Sequence, residues 1–173
     1  MNKKKIFIAV DTNKISRAKK IIKDTQTKKI KVGYKFGLEF FYSKDGRKFL
    51  SKLKNQMIFL DLKLNDIPNT VSSALKSLKN LKIAYLTVHL SSGLNALKEL
   101  KKESKNIKIA GVTTLTSLNN KDLKEIGFNK KVNELVKHQA KLAAKAKLDA
   151  IVCSGHEIRS VKRVFKKEII TPG

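Results

Sequence analysis

One short stretch, residues 59–70, constrains this chain more than any other. The apolar run 57–64 is interrupted only by Asp61 and Lys63, and it predicts a β-strand. Residues two apart share a face of a strand, so Asp61 and Lys63 point the same way. Asp66 follows where the strand ends. Burying charge is costly unless it is paired, so we expect three charged groups to converge at this strand end.

A structural role alone would also account for this stretch. Asp61 and Lys63 would then form a salt bridge at a strand end, and Asn65 or Asp66 would cap the next helix. The residues by themselves leave both interpretations open.

The rest of the chain alternates short apolar strands with amphipathic helices, which is typical of a parallel α/β sheet. No Gly-x-Gly-x-x-Gly follows the first strand, so a (β/α)8 TIM-type barrel is favoured over a dinucleotide-binding sheet. The predicted strands cover residues 6–10, 29–34, 57–62, 84–90, 107–113, 150–153 and 169–170. We therefore expect one domain over residues 1–173, an incomplete barrel of about seven strands.

Polar residues lie at or near the ends of six successive predicted strands. Since parallel strands bring their carboxyl ends to one edge, this pattern indicates a functional site rather than isolated caps. Lys35, although near Lys31, is predicted to be a solvated residue outside this pattern. The residues of this pattern are Asp11, Lys31, Asp61 with Lys63, His89, Thr114 with Thr116, and Ser154.

The composition excludes several classes of protein. The formal net charge is +25, which attracts anions of any kind, yet only four of the 39 basic residues are Arg and no nucleic-acid-binding motif is present. Nucleic acid is therefore not the expected partner. Cys153 is the single cysteine, so no intramolecular disulfide forms. No run approaches the roughly 20 apolar residues of a membrane span, and a cytoplasmic location is expected.

The stretch Asp61-x-Lys63-x-x-Asp66-Ile-Pro-Asn-Thr70 resembles the signature of the bacterial orotidine 5'-phosphate decarboxylase family. Further similarities occur along the chain, in 30–33 (Ile-Lys-Val-Gly), 88–93, 112–117, 148–154 and 171–173. The related 3-hexulose-6-phosphate synthases share Asp-x-Lys-x-x-Asp but usually lack the Ile-Pro-Asn-Thr that follows here.

The resemblance implies decarboxylation of orotidine 5'-phosphate to uridine 5'-phosphate in de novo pyrimidine biosynthesis, without metal or cofactor. It implies an array of Lys31, Asp61, Lys63 and Asp66, in which Lys63 is the proton donor. It also implies a homodimer whose active sites are shared between the subunits. Substrate contacts are expected from this array and from Asp11, Ile67, Thr70 and Thr116, of which Asp66, Ile67 and Thr70 reach the partner's site.

The sequence stops at Gly173, before the family's eighth strand and its phosphate-gripping segments. We therefore expect a C-terminally truncated barrel with little or no activity of its own. Two alternatives remain open at this point. One is a non-catalytic homologue that only dimerises or binds nucleotide, and the other is a basic nucleic-acid-binding protein.

Overall fold

Seven β-strands form one sheet in which each strand lies beside the next in sequence. The computed structural model describes residues 5–173. The strands are β1 (Lys5–Ala9), β2 (Lys31–Gly37), β3 (Met57–Leu64), β4 (Ile83–His89), β5 (Lys108–Val112), β6 (Ala150–Val152) and β7 (Glu168–Ile170), in the order β1-β2-β3-β4-β5-β6-β7. This sequential order is that of a βα barrel, whereas doubly wound sheets reverse their order at a switch point.

Helices occupy the connections between the strands. They are α1 (Ile15–Asp24), α2 (Leu38–Tyr42), α3 (Gly46–Lys52), α4 (Pro68–Ser77), α5 (Gly93–Glu103), α6 (Asn120–Glu125), α7 (Val132–Lys145) and α8 (Ile158–Val164). Short 3-10 turns, Leu90–Ser92 and Gly155–Glu157, precede α5 and α8. The predicted alternation of strands and helices is confirmed, with most bounds shifted by one to four residues.

The chain divides into two compact units, of which the first comprises Met1–Leu62 and Ser77–Leu86. Its strands β1, β2 and β3 pair in parallel, with Phe7 opposite Gly33 and Lys35 opposite Phe59. Residues paired in this way share a face of the sheet. On that face the rings of Phe7, Phe59 and Tyr85 pack with centroids 5.0–5.6 Å apart. Such aromatic pairs add about 0.5–1.5 kcal/mol each beyond the area they bury.

The opposite face of β2 is held by the helices that follow it. Tyr34 and Phe36 alternate with Lys35 and are almost fully buried. Phe36 packs on Phe40 of α2 at 4.8 Å, and Phe40 packs on Phe49 of α3 at 5.6 Å. Alternation therefore leaves Lys35 on the face of the aromatic cluster.

The second unit comprises Lys63–Lys76 and Thr87–Gly173. Its strands β5, β6 and β7 pair in parallel. Asp149, just before β6, accepts hydrogen bonds from Lys101 Nζ at 2.7 Å and from the Ile109 N–H at 2.9 Å. One half-buried carboxylate thus ties α5, β5 and the start of β6 together.

The second strand is the one element whose predicted position is wrong in a consequential way. The prediction places it at 29–34, but β2 is Lys31–Gly37. Gly33 lies inside the strand rather than at its end. It faces the Phe7 ring and the end of the Met57 side chain, which leave no room for a Cβ, so glycine here permits close packing and does not mark a turn. The strand therefore runs on through Lys35.

No helix within residues 5–173 is long and apolar enough to cross a membrane. The expected cytoplasmic location and the expected single domain both stay predictions.

The ends of α6 and α7 predict the effect of one substitution. The same pattern of two main-chain hydrogen bonds ends each helix. The left-handed residue in this pattern is Gly127 after α6, with φ 88°, and Lys147 after α7, with φ 58°. A left-handed backbone strains any residue with a Cβ. Relief of a strain of about 1–2 kcal/mol is partly offset by the entropic cost of glycine, roughly 0.5–1 kcal/mol. Lys147→Gly should therefore raise the free energy of unfolding by about 0.5–1 kcal/mol, measured by urea denaturation. Lys141→Gly, at an exposed position inside α7, should lower it by about 1 kcal/mol. Equal losses in both variants would contradict the assigned strain.

Candidate active site

A lysine lies between two carboxylates at the carboxyl ends of the first three strands. Lys35 Nζ is 3.6 Å from Asp11 Oδ1 and 3.9 Å from Asp61 Oδ2. The side chain of Asp61 is 13% exposed and that of Lys35 29%, whereas that of Asp11 is 70% exposed. The Lys35–Asp61 pair is therefore the sheltered part of this first cluster, and Asp11 is its solvent-facing rim.

The local fold explains why these three residues meet. Val10 donates its N–H to the Lys35 carbonyl at 2.8 Å, which aligns the end of β1 with Lys35. In the register of β2 and β3, Gly37 lies opposite Asp61. A Cβ at Gly37 would meet none of residues 5–173 within 4 Å, so the described part of the chain leaves space open beside the carboxylate. Phe59, two residues before Asp61 on the same face, joins the aromatic cluster. The aromatic cluster thus forms an apolar surface of low dielectric next to the charged groups. Charges near such a surface interact more strongly than charges in bulk water.

Lys31, the lysine predicted for the array, lies elsewhere. It is the first residue of β2, exposed and opposite Lys5, at the amino end of the strand. Four strand residues, roughly 13 Å, separate it from Lys35. The prediction that Lys31 lies at the carboxyl end of its strand is wrong, and so is the prediction that Lys35 is solvated.

The sequence contains the signal that would have found Lys35. Lys-x-Gly occurs twice, in Lys31-Val-Gly33 and in Lys35-Phe-Gly37. Only the second is followed directly by a mainly apolar segment of helical length, residues 38–42. Ending the predicted strand at residue 34 concealed that pattern.

A second cluster begins at the end of β3, in the second unit. Lys63 is half-buried and has a left-handed backbone, with φ 46°. Its N–H donates to Thr87 Oγ1 at 2.7 Å. Residues 65–70 are all exposed, and Asp66 Oδ1 accepts the Ile67 N–H at 2.7 Å. Pro68, whose missing N–H and fixed φ suit a first helical position, begins α4.

The end of β4 holds the segment after Lys63. The strand ends at His89, as predicted, and a 3-10 turn carries Ser91 and Ser92. Asn65 Oδ1 accepts from Ser92 Oγ at 3.0 Å and from Ser91 Oγ at 3.3 Å. Side-chain hydroxyls of one strand end therefore hold the loop of its neighbour.

The two predicted threonines after β5 differ in their surroundings. Thr114 is buried, and both its N–H and its Oγ1 lie within hydrogen-bond distance of Gln139 Oε1 of α7, at 2.7 and 3.2 Å. Thr116 is exposed in a turn closed by the Leu118 N–H on the Leu115 carbonyl. Thr114 thus links strand to helix, and Thr116 faces solvent.

Ser154 caps the turn after β6. Its hydroxyl accepts the His156 N–H at 3.3 Å, and Glu157 Oε2 accepts the Ser154 N–H at 3.0 Å. The spacing Ser-x-x-Glu indicates this capping box in the sequence, although Glu157 was not among the predicted site residues.

Burial raises the pKa of the Glu157 carboxyl, and the hydrogen bond from the Ser154 N–H and the nearby His156 oppose this shift. Burial, with a smaller contribution from Glu157, raises the pKa of the Cys153 thiol to about 11. Cys153 is thus an unreactive structural thiol.

Within residues 5–173, no group of three or more His, Cys, Asp or Glu side chains is arranged to hold a metal ion.

Sequential parallel strands with charged groups at their carboxyl ends define a class, the βα-barrel enzymes. Comparison with known proteins narrows the class. Residues 4–173 match the family described as "Orotidine 5'-phosphate decarboxylase / HUMPS family". The chain belongs to this family, as the signature at residues 61–70 predicts.

Curated relatives and solved structures agree with this assignment. The chain is 36% identical to orotidine 5'-phosphate decarboxylase of Carboxydothermus hydrogenoformans, covering 96% of the chain and 72% of that protein. It is 42% identical to the enzyme of that name from Wolbachia of Brugia malayi, covering 97% and 76%. The crystal structure of orotidine 5'-phosphate decarboxylase from Lactobacillus acidophilus matches with a TM-score of 0.88 at 30% identity, covering 97% and 80%. The predicted fold class, an incomplete TIM-type barrel, is confirmed.

The buried Glu157 predicts a pH dependence of stability. Its pKa is higher in the folded chain than in the unfolded chain, so the unfolded chain loses this proton first as pH rises. Its contribution to stability is present below the ordinary pKa of glutamate and is lost as pH rises through the raised value. Glu157→Gln keeps an acceptor for the Ser154 N–H without the charge.

Urea denaturation at several pH values tests this contribution. The difference in unfolding free energy between Glu157→Gln and the wild-type chain should grow with pH across that window and then level off. A difference independent of pH would contradict the assigned shift.

Proposed function

We propose that this chain binds orotidine 5'-phosphate and decarboxylates it to uridine 5'-phosphate, a step of pyrimidine biosynthesis. The observation that carries the proposal is the sheltered Lys35–Asp61 pair, 3.9 Å apart, at the head of the signature Asp61-x-Lys63-x-x-Asp66. The names of the relatives, all carboxy-lyases, support the same substrate. Cytoplasmic action would suit a biosynthetic enzyme.

The roles of the charged residues follow from the chemistry. Decarboxylation breaks the bond between C6 and the carboxylate, releases CO2 and leaves an electron pair on C6. Asp61 would lie beside the substrate carboxylate and disfavour that charge in the ground state. The Lys63 ammonium would stabilise the developing carbanion and then transfer a proton to C6.

Lys35 takes the role that the sequence analysis gave to Lys31. Its ammonium holds the Asp61 carboxylate and is available to a substrate hydroxyl. The opposite charges of Lys35 and Asp61 are held in place beside the aromatic cluster, so they need not reorient during the reaction. Electrostatic catalysis requires charges that are positioned in advance in this way. Asp66 is proposed as the fourth member of the array, as the signature implies.

The remaining predicted contacts would hold the nucleotide. Asp11, the exposed rim of the first cluster, suits the ribose hydroxyls, and Thr116 suits the pyrimidine edge. Both are solvent-facing groups that can hydrogen-bond a ligand without breaking an interior contact.

We propose that the chain forms a homodimer and that the segment after Lys63 contacts the partner subunit. Ile67 is 66% exposed, and Asp66 and Thr70 on either side of it are exposed as well. An exposed large apolar residue inside a catalytic signature suits a subunit contact that reaches the partner's site.

Matched lysine variants test the proposed catalysis. Lys31 and Lys35 are the same residue type on the same strand and the same face. Lys35→Ala and Lys63→Ala should each lower CO2 release from carboxyl-labelled orotidine 5'-phosphate by about 100-fold or more. Lys31→Ala should stay within about twofold of wild type, because Lys31 lies at the other end of the strand. This proposal requires CO2 release by the wild-type chain, in contrast to the little or no activity expected from the sequence alone. No release would overturn the proposed reaction, and loss in Lys31→Ala but not in Lys35→Ala would overturn the assignment of Lys35.

The dimer is tested by a pair of charge insertions. Ile67→Lys should turn a dimer into a monomer in sedimentation velocity, because a buried unpaired ammonium is costly at an apolar contact. Ile126, 58% exposed at the end of α6, gives the control, and Ile126→Lys should leave the dimer intact. A wild-type monomer at all concentrations would contradict the proposal, as would an intact Ile67→Lys dimer.

A further inference from the structure

The backbone of Lys63 is in an unusual conformation. Its φ of 46° falls in the left-handed region, although it is the next-to-last residue of β3. A residue with a long side chain adopts this conformation only where its surroundings impose it. The dihedral matters because it breaks the alternation of the strand and so sets the direction in which the Lys63 side chain leaves the backbone.

Thr87 contacts the main chain of Lys63 at this left-handed residue. Its hydroxyl accepts the Lys63 N–H at 2.7 Å, and Thr87 is 1% exposed on β4. The bond is partly shielded from water, which strengthens it, and losing the acceptor would remove this restraint on the Lys63 main chain. Both partners belong to the same compact unit.

Two neighbouring hydroxyls continue the restraint past Lys63. Ser92 Oγ lies 3.5 Å from the Leu64 carbonyl and 3.0 Å from Asn65 Oδ1, and Ser91 Oγ lies 3.3 Å from Asn65 Oδ1. All three contacts are longer than the one from Lys63 to Thr87, and the two to Asn65 are exposed. Of these three hydroxyls, Thr87 makes the shortest contact, and Ser91 and Ser92 extend the restraint toward Asp66.

We propose that Thr87 is a positioning residue that holds the Lys63 backbone in its left-handed turn and thereby aims the Lys63 ammonium at the reacting carbon. The role deepens the proposed decarboxylase function and rests on it. Thr87 itself touches no substrate in this role; it acts through the main chain of Lys63.

Three variants separate the hydroxyl from its surroundings. Thr87→Val has nearly the same shape but no acceptor, and Thr87→Ser keeps the acceptor. Thr113→Val is the control, since Thr113 is also 1% exposed and its hydroxyl bonds the Val152 carbonyl rather than Lys63. Thermal unfolding of each variant reports whether it is folded.

Two measurements on these variants decide the proposal. In Thr87→Val the Lys63 amide should exchange its hydrogen at least tenfold faster, and the 13Cε resonance of Lys63 should shift, both by NMR. CO2 release from orotidine 5'-phosphate should fall about tenfold in kcat with KM unchanged. Thr87→Ser should stay within about threefold of wild type in every measure, and Thr113→Val should leave the Lys63 signals unchanged.

The outcomes distinguish this proposal from the proposed function. Unchanged Lys63 signals in Thr87→Val would overturn the positioning role whatever the activity. Changed signals with unchanged kcat would overturn it too and leave the decarboxylase proposal standing. If the wild-type chain releases no CO2, the proposed function fails, and the NMR signals of Lys63 still decide whether Thr87 sets its geometry. If Thr87→Val does not fold, the comparison of Thr87→Ser with wild type decides, and altered Lys63 signals there would overturn the role.

Discussion

The ion pair between Lys35 and Asp61 is the interaction on which the candidate site depends. A charge at a sheltered strand end is costly unless it is paired, so the contact between these two side chains lowers the cost of keeping both of them there. The pair also depends on the fold below it. Phe59 puts the aromatic cluster on the same face as Asp61, and the alternation of Tyr34 and Phe36 turns Lys35 onto that face. Packing of rings and placement of charges are thus two consequences of one strand register.

Much of the fold could be predicted from the sequence because its signals are local and repeated. Apolar runs of strand length alternate with amphipathic helices, and the run that begins at Met57 predicts the start of β3, although the strand ends at Leu64 rather than at residue 62. The position of β2 could not be read in the same way. Two Lys-x-Gly tripeptides lie four residues apart, and only the packing of Gly33 against Phe7 shows that the strand passes through the first and ends at the second. A shift of a few residues was enough to exchange Lys35 for Lys31.

The contacts that fix Lys63 are of a kind that sequence periodicity does not reveal. A left-handed residue inside a strand has no composition signature unless it is glycine, and here it is lysine. Its partner Thr87 is one β-branched residue among many in an apolar strand. By contrast, the capping box of Ser154 and Glu157 has a readable spacing. Local motifs were therefore accessible from the sequence, and long-range hydrogen bonds between main chain and side chain were not.

The imbalance of charge has a consequence for how this chain tolerates change. With 39 basic and 14 acidic residues, carboxylates are the scarce component. Asp61, Asp149, Glu157 and Glu168 each hold a lysine or a backbone N–H between separate elements or at a turn. A mutation that removes a surface lysine lowers the self-repulsion of the folded chain. One that removes any of these carboxylates takes away a contact that the surplus lysines cannot replace. Over many generations, substitutions at exposed lysines outside the site should therefore be tolerated more readily than substitutions at these four carboxylates.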